Sequence, residues 1–319
     1  MTTYVLKRLA TLPLTLLIVS FLTFTIVHLV PGDAVDVLGG DFLTETQRDQ
    51  LREQYQLDDP FLVQYMRWLG RVVQGDFGMS IRTGRPVFDE VVGRLGTTIE
   101  LAVIAMAMAL LIGIVSGAAA TRWRGRWGDK LIMSASILGM SVPNYFAATI
   151  FILLISLYAP GIGVASYVPI TVDVATNLQA LFFPALALAV VSGSSFCRYV
   201  RVAAEDVLRT SDFVRTAKAK GASDWHVLFR HVIPNSLIPL TTVAGLQFGL
   251  LIGGTVVIET IFALPGVGQL MIAAIQQRDF AVVQGCVMLQ TLNFVVINLA
   301  VDLLYPVLDP RVRVAAARG

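Results

Sequence analysis

The sequence predicts an all-α membrane protein with six transmembrane helices, and three observations support that fold class. Hydrophobic residues make up 55% of the 319 residues, charged residues make up only 14%, and the mean hydropathy is +0.72. A soluble domain of this length needs more charge to cover its surface. Six apolar stretches reach or approach the about 20 residues that a helix needs to cross a bilayer. Basic residues also cluster in alternate connecting segments, as they do in membrane proteins with a fixed orientation.

The predicted spans follow one another along nearly the whole chain. The first exceeds the about 7–15 apolar residues of a signal peptide, and no small-residue cleavage site follows it, so we expect it to remain as an anchor. Cys197 and Cys286 lie inside apolar runs and are expected to be small buried side chains rather than a disulfide or a metal site. The predicted spans cover residues 9–30, 97–120, 131–159, 180–197, 237–258 and 281–305.

The distribution of basic residues predicts that both termini are cytoplasmic. With the N-terminus inside, the cytoplasmic segments contain 16 of the 24 Lys and Arg residues, including those of the loop TRWRGRWGDK between the second and third spans. Seven of the other eight lie in the long outer segment 31–96, where the length of the loop weakens the positive-inside rule. The sequence therefore predicts an N-in, C-in topology.

The outer segment 31–96 is predicted to contain short helices. Thr44 can cap a first helix that runs through Arg52. A second helix carries an apolar stripe at helical spacing, and the residues alone leave open whether this is an ordinary surface helix or a docking surface for an external partner. The stripe consists of Phe61, Tyr65, Trp68 or Leu69, and Val72.

Small residues recur at four-residue spacing in two of the spans. Gly245, Gly249 and Gly253 share one face of the fifth span, and Gly113 and Gly117 repeat the spacing in the second. Such spacing lets helix backbones approach closely where lipid supplies no hydrophobic driving force. It fits packing within this chain and packing against a second membrane subunit, and both interpretations remain open.

A proline and a few polar residues inside the spans indicate a candidate translocation path. The sequence SVPN, from Ser141 to Asn144, interrupts the third span, because a proline removes a backbone hydrogen bond and kinks a helix. Polar side chains within spans usually face a bundle interior or a pathway. The residues predicted to line the path are Asn144, Gln247, Glu259 and Asn293.

The sequence lacks the motifs of a self-sufficient enzyme or pump. It contains no GxxxxGK[ST] phosphate loop, no GxGxxG after a strand and no HExxH zinc motif. Its spans show no charged relay and no internal repeat of the kind expected in ion-coupled carriers. We therefore expect a non-catalytic conduit without a cofactor or metal of its own, whose energy comes from another chain. A channel or ion-coupled carrier that acts alone is the alternative.

A basic segment between the fourth and fifth spans is predicted to form two short cytoplasmic helices. Ser211 or Asp212 can cap a first helix that ends at Gly221, where glycine permits a positive φ. Ser223 can cap the second helix, and Pro234 is expected to end it. The apolar residues of the second helix would form one stripe, suited to a membrane surface or to a protein groove. That stripe consists of Trp225, Leu228, Phe229 and Val232.

This segment resembles the cytoplasmic loop of permease subunits of ATP-binding-cassette importers. The family pattern is EAA, three residues, glycine, nine residues and then I-x-L-P. Gly221 matches the glycine, whereas Arg215 departs from the pattern by replacing its glutamate. The form RTAKAKG, which includes Lys220, is that of the dipeptide, oligopeptide and nickel branch. The other matching positions are Thr216, Ala217, His231, Ile233 and Pro234.

The resemblance to that branch, and specifically to its first permease subunit, extends over nearly the whole chain. The stretches VPGD, LDDPFLVQYMRWLG, GDFGMSIRTGRPV, ETIFALPGVG, RDFAVVQG and NLAVDLLYPVLDPRVR all resemble it. It implies the permease fold of a type I importer in a prokaryotic inner membrane. Residues 1–96 would form an anchor helix and an extracytoplasmic helical segment, 97–310 the permease core with its coupling loop 204–236, and 311–319 a cytoplasmic tail.

The resemblance also implies partners and a substrate class. The chain would form a pore with a second, related permease and act with two cytoplasmic ATPases, which bind the ATP and Mg, and with an external solute-binding protein. Di- or oligopeptides are the implied substrate, with nickel or glutathione as alternatives, and no nucleic acid is involved. The resemblance assigns ATPase coupling to Arg215, Thr216, Ala217, Lys220, Gly221, Trp225, Leu228, Phe229, His231 and Pro234.

Overall fold

The structure is a computed structural model, and it describes four stretches of the chain. Throughout these stretches the backbone is helical apart from turns and an isolated bridge between Met79 and Pro86. The predicted all-α class is therefore confirmed for this part of the chain. The described stretches are residues 2–30, 44–54, 58–158 and 167–308.

Twelve α-helices and one π-helix follow one another in these stretches. The π-helix, Leu228–Val232, lies between α9 and α10. The helices are α1 Thr2–Leu29, α2 Glu45–Gln54, α3 Phe61–Val73, α4 Val87–Arg122, α5 Trp127–Ser141, α6 Asn144–Tyr158, α7 Val174–Thr210, α8 Asp212–Ala219, α9 Asp224–Val227, α10 Ile233–Ile261, α11 Val267–Gln276 and α12 Phe280–Leu308.

Each predicted span lies within one of these helices or, for the third, within a bent pair. Five described helices are long and apolar enough to cross a membrane, and α5 with α6 supplies a sixth if the pair is one span. The helices extend beyond the apolar runs: α4 begins ten residues before the predicted start at 97, and α7 continues to Thr210 rather than to 197. Polar end turns form helix as readily as apolar ones, but hydropathy does not detect them.

The third span breaks more sharply than a simple proline kink. α5 ends at Ser141, Val142 has an extended backbone with ψ of 120°, and α6 begins at Asn144. The residue before a proline is pushed out of the helical region, so Pro143 explains the location of the break. The two helices meet at an angle of 100°, which the sequence did not predict.

Contacts divide the chain into two compact units, each described by itself. One unit consists of Thr97–Leu264 and the chain from Ile297, and the other of Thr2–Gly96 and Pro265–Val296. A unit boundary thus falls at residue 96, as does a predicted domain boundary. The sequence, however, groups residues 265–296 with 97–310, and the predicted domains remain a prediction.

In the first unit α7 is the central helix, with α5, α6 and α10 packed against it. Its start is capped by Asp173, whose carboxylate accepts hydrogen bonds from Ala175 N (2.9 Å) and the Thr176 hydroxyl (2.6 Å). The hydroxyl and N–H of Thr176, with the N–H of Ala175, lower the pKa of this carboxyl. Small buried residues along α7, such as Ala185 and Ala189, allow neighbouring helices to approach it closely.

The glycine pair in α4 packs inside the chain. A Cβ at Gly117 would lie 2.7 Å from Val200 Cβ, and a Cβ at Gly113 would lie 3.1 Å from Cys197 N, both in α7. These separations are too short for a side chain, so the two glycines are required for the α4–α7 contact. Packing within the chain is therefore the correct interpretation for this pair.

The glycines of α10 divide between the two interpretations. Gly245 and Gly249 are buried within the chain, whereas Gly253 is exposed, and a Cβ there would meet no described atom within 4 Å. Leu246 and Leu250, on neighbouring positions of the helix, are 68% and 69% exposed. The face around Gly253 is therefore open to lipid or to another membrane subunit.

In the second unit α3 packs its apolar stripe against α1. Tyr65 and Trp68 are buried with Phe24 of α1, and the Tyr65 hydroxyl lies 2.9 Å from Ser20 Oγ. The amphipathic stripe is confirmed, and it faces this chain rather than an external partner. Thr44 also caps α2 as predicted, since its Oγ1 accepts a hydrogen bond from the N–H of the third residue after it (3.4 Å).

Candidate functional site

The 211–234 segment, which joins α7 to α10, folds as two short helices around a glycine turn. The turn is closed by hydrogen bonds from Gly221 N to Lys218 O (2.9 Å) and from Ala222 N to Ala217 O (3.1 Å). Gly221 has a φ of +82°, and a Cβ there would meet no described atom within 4 Å. As predicted, the glycine is required for its backbone conformation, not for space.

The second helix begins as predicted but does not end at Pro234. Ser223 Oγ accepts a hydrogen bond from His226 N (3.3 Å) and caps α9. The backbone then continues helically through the π-helix into α10, with Ile233 N donating to Leu228 O. A proline ring clashes with the carbonyl one α-turn earlier, and a wider π-turn makes room for it. A proline in the first turn also loses no helical hydrogen bond, so the prediction of a stop was wrong.

The predicted apolar stripe of this helix is divided between two faces. Leu228 and Val232 are 4% and 0% exposed, whereas Trp225 and Phe229 are 56% and 50% exposed. The prediction of one continuous stripe was therefore wrong. It assumed α-helical spacing, but the π-helix begins at Leu228 and shifts the angular positions of the residues that follow.

The buried residues fix the segment to the first unit, and the exposed ones form a flat apolar surface. Leu228 and Val232 belong to a hydrophobic cluster with Val214 of α8 and residues of α7. The rings of Trp225 and Phe229 stack with centroids 4.9 Å apart and planes 9° apart. This aromatic pair suits a protein groove, because exposed aromatic anchors on a rigid base are typical of interface hot spots.

The other residues assigned to coupling surround the aromatic pair on the same segment. Arg215 forms an exposed ion pair with Asp212 (3.5 Å), and the Thr216 hydroxyl donates to Asp212 O (3.0 Å). Their assignment to coupling remains a prediction. The exposed members are Arg215, Thr216, Lys220, Gly221 and Pro234, and the half-buried members are Ala217 and His231.

A buried arginine cluster, which the sequence did not reveal, ties α7 to the start of α5. Arg201 is 8% exposed and donates to both carboxylate oxygens of Asp129 (3.1 and 2.9 Å) and to Glu205 Oε2 (2.9 Å). Arg124 donates to the other oxygen of Glu205 (2.6 Å). The cluster stabilises the end of α7 that leads into the 211–234 segment. In the sequence, Arg201 counted only as one more positive charge beyond the fourth span.

The residues predicted to line a path are only partly brought together in the first unit. The amide of Asn144 lies near Gly254 of α10, where its Nδ2 is 3.6 Å from a Cβ placed on that glycine. Its Oδ1 is buried and has no hydrogen-bond partner among the described residues. Gln247 is half-buried, two turns before Gly254 and on the same face of the helix. Glu259 lies on a different face and accepts a hydrogen bond from Thr98 of α4 (2.8 Å).

Asn293, the fourth of these residues, belongs to the second unit. Its Nδ2 is buried without a hydrogen-bond partner among the described residues, as is the Oε1 of Gln290 one turn earlier. Unpaired buried amide atoms are costly in a folded chain. They are consistent with a polar solute or a partner helix at this face of α12. The role of all four residues in a path stays a prediction.

The second unit also contains a charged cleft of about 430 Å³, here named the Asp279 cleft. Asp279, 2% exposed, accepts hydrogen bonds from Ser80 Oγ (2.6 Å) and Arg82 N (3.4 Å). It thereby fixes the turn after α3 against the loop between α11 and α12. Arg85 and Arg94 also line the cleft. Among the described residues, neither guanidinium forms an ion pair.

Metal ligation has no structural support in the described ranges. No three His, Cys, Asp or Glu side chains lie close enough there to hold a metal ion. Cys197 and Cys286 are both buried as free thiols, in agreement with their prediction as small buried side chains. The arrangement therefore favours binding and mechanical coupling over chemistry at a metal.

Comparison with known families covers nearly the whole chain. Residues 109–314 match the family described as "Binding-protein-dependent transport system inner membrane component". Residues 1–102 match the family described as "Binding-prot-dependent transport system membrane comp, N-term". Together the two matches include both the 211–234 segment and the Asp279 cleft.

Individual relatives are similar over their full length. The glutathione transport system permease protein GsiC of Salmonella paratyphi A is 40% identical over 313 residues, which cover 98% of this chain and 99% of that protein. The GsiC protein of Escherichia coli (strain K12) is 38% identical over 316 residues, with the same coverage. A solved chain described as "Crystal structure of an amino acid ABC transporter with histidines" aligns with a TM-score of 0.46 at 16% identity, over 69% of this chain and 92% of that one.

Proposed function

Since this chain belongs to the family of binding-protein-dependent transport system inner membrane components, we propose that it is the translocation subunit of an ATP-driven importer of glutathione and other short peptides. It forms a pore with a second, related permease, and two cytoplasmic ATPases supply the energy. An external solute-binding protein delivers the substrate. Both termini lie in the cytoplasm, so that the 211–234 segment faces the ATPases.

The observation that supports the coupling role is the aromatic pair on its buried base. Trp225 and Phe229 are half exposed, while the neighbouring Leu228 and Val232 are almost fully buried. An ATPase that closes on ATP needs a contact that neither slides nor bends. Two stacked rings provide the contact, and the packed residues beneath them resist bending.

The substrate class rests on the relatives and on peptide chemistry. The sequence favours di- or oligopeptides and leaves glutathione and nickel as alternatives. The relatives described above are named as glutathione permeases, and glutathione is itself a tripeptide. Both substrates have charged ends and amide groups, which unpaired amides such as those of Asn144 and Asn293 can bind.

The proposed site for the solute-binding protein is the Asp279 cleft. In an N-in, C-in protein the connections that form it, before α4 and between α11 and α12, lie outside. Arg85 and Arg94 line the cleft without an ion-pair partner among the described residues. Carboxylates on the binding protein would supply that partner, since complementary charge guides protein association.

One uptake experiment tests coupling and substrate together. The chain, its partner permease and both ATPases are reconstituted in proteoliposomes with the binding protein, and ATP-dependent uptake of labelled glutathione is measured. We expect unlabelled glutathione and short peptides to compete and nickel to have no effect. Competition by nickel alone would contradict the proposed substrate class.

The same assay tests the aromatic pair. The double variant Trp225→Ala/Phe229→Ala should lose ATPase retention or hydrolyse ATP without uptake, because aromatic anchors often contribute about 2 kcal/mol or more to an interface. Phe182→Ala removes an aromatic ring of similar exposure, 47%, from α7 and serves as the matched control. Unchanged retention and uptake in the double variant would remove the coupling role.

The orientation is tested by labelling single cysteines with an impermeant thiol reagent. Gln74 and Lys220 are both exposed, and the two native cysteines are buried, so background labelling should be low. We expect Gln74→Cys to react from outside the cell and Lys220→Cys only after the membrane is opened. Reaction of both from the same side would contradict the topology.

A further inference from the structure

The connection between α4 and α5, residues 122–130, is a structured turn rather than a loose linker. Arg126 N donates to Trp123 O (2.9 Å), and Gly125 N donates to Asp129 Oδ2 (3.0 Å). Gly125 has a φ of +72°, which glycine adopts without strain. The side chains on this turn therefore have defined positions.

Two tryptophans of the turn are exposed at the ends of apolar helices. Trp127, the first residue of α5, is 77% exposed, and Trp123 is 46% exposed. The ring of Trp123 lies against Gly128, where a Cβ would be 2.8 Å from its Cε3 atom. Both α4 and the bent α5–α6 pair are apolar enough to cross a membrane. The turn therefore lies at a bilayer boundary in either orientation, which is where amphipathic tryptophan rings concentrate.

The turn also has positive charge that this chain does not neutralise. The carboxylate of Asp129 is bound by Arg201, and the guanidinium of Arg124 is bound by Glu205. Arg126 is exposed and has no side-chain hydrogen bond or ion pair with a described residue. Lys130 is exposed as well, with its Nζ 5.6 Å from the centre of the Trp127 ring.

We propose that residues 122–130 bind the phosphate of an anionic phospholipid headgroup. Arg126 and Lys130 contact the phosphate, and the Trp127 ring lies beside the upper part of the acyl chains. Cations next to a membrane surface attract anionic lipid, and an adjacent tryptophan fixes the depth of the contact.

The size of the patch favours a lipid over a protein partner. Two rings and two free cations cover far less than the about 1,000 Å² that a specific protein interface needs. Together they match a single phosphodiester with its glycerol. A lipid also reaches this position from the bilayer, whereas a soluble protein would first have to displace the headgroups around Trp127.

Native mass spectrometry of the full chain after mild delipidation tests the proposal. The probes are phosphatidylglycerol and phosphatidylcholine with identical acyl chains. We expect preferential retention of phosphatidylglycerol, and about fivefold weaker retention for each cation removed in Arg126→Gln and Lys130→Gln. Trp127→Ala should weaken retention of both lipids. Arg82→Gln/Arg85→Gln, which removes two exposed arginines of the second unit, is the matched control and should change nothing.

Further arms keep every outcome decisive. Inorganic phosphate should not displace the lipid; if it does, the turn is a free-phosphate site. The charge-conserving variants Arg126→Lys and Lys130→Arg should retain phosphatidylglycerol, which separates loss of charge from loss of fold. Equal retention of the two lipids by the native chain would overturn the proposal. So would glutamine variants that keep the lipid but lose the ATPases, because the turn would then contact protein.

Discussion

The 211–234 segment and the Asp279 cleft are both proposed to contact soluble proteins, but they use different side chains. The segment has two stacked aromatic rings above buried aliphatic residues. The cleft has arginines and carboxylates around an open space, and its buried anchor is a hydrogen-bonded aspartate. Desolvated aromatic contacts are little affected by salt, whereas exposed charges are screened and mainly govern the rate of association. The difference suits a cytoplasmic partner that stays bound and an external partner that arrives and leaves.

The largest expected effect concerns the rigid base of the segment. Arg201→Met leaves the carboxylates of Asp129 and Glu205 without their buried cation, which costs roughly 3–5 kcal/mol for a buried pair. Arg124→Met breaks a more exposed pair and should cost about 0–1 kcal/mol. The free energy of unfolding of the chain in detergent measures both. Equal destabilisation by the two variants would show that the buried cluster is not a support for the segment.

The next effect separates the two surfaces by strain. Gly221 and Gly84 have φ of +82° and +65°, and neither has an atom within 4 Å of the position of a Cβ. Valine at either site should add strain of roughly 1–3 kcal/mol without a clash. Gly221→Val should uncouple ATP hydrolysis from uptake, whereas Gly84→Val should reduce stimulation by the solute-binding protein. The assays are ATPase activity and uptake in proteoliposomes, and the same defect in both variants would contradict the division of roles.

The smallest effect tests the charge of the cleft. Arg85→Gln/Arg94→Gln should reduce stimulation of the ATPases by the binding protein several-fold at low salt and much less at high salt, since each exposed ion pair contributes about 0.2–1 kcal/mol. ATPase retention at the 211–234 segment should not depend on salt in the same preparations. Arg67→Gln, which removes an arginine from outside the cleft, is the control. A loss of stimulation that is independent of salt would argue against charge complementarity.

Local signals predicted the parts of these surfaces that depend on neighbouring residues. Gly221 and Ser223 were identifiable because a positive φ and a helix cap depend on a few adjacent positions. The division of the apolar stripe was not identifiable, since it depends on a π-helix and on contacts with α7 and α8. Hydropathy likewise located the break at Pro143 but could not predict its angle, which neighbouring helices determine.

Long-range pairs account for most of what the sequence did not reveal. Ser80 and Asp279 are 199 residues apart, and Asp129 and Arg201 are 72 residues apart. Nothing in one sequence indicates that such residues meet. Both pairs involve charged residues near the ends of apolar helices, where solvent contact is the simpler expectation.

The uninterrupted backbone from the π-helix into α10 has a geometric consequence. α10 contains 29 residues, so at 1.5 Å per residue it is about 43 Å long. Trp225 and Phe229 stand just before one end of this rod, and Pro234 introduces no joint between them. A rotation of about 5° at the aromatic pair would therefore displace the far end of α10 by roughly 4 Å. That distance is comparable to the width of a water molecule, so a small movement of the rings is enough to open or close a narrow passage beside the opposite end of the helix.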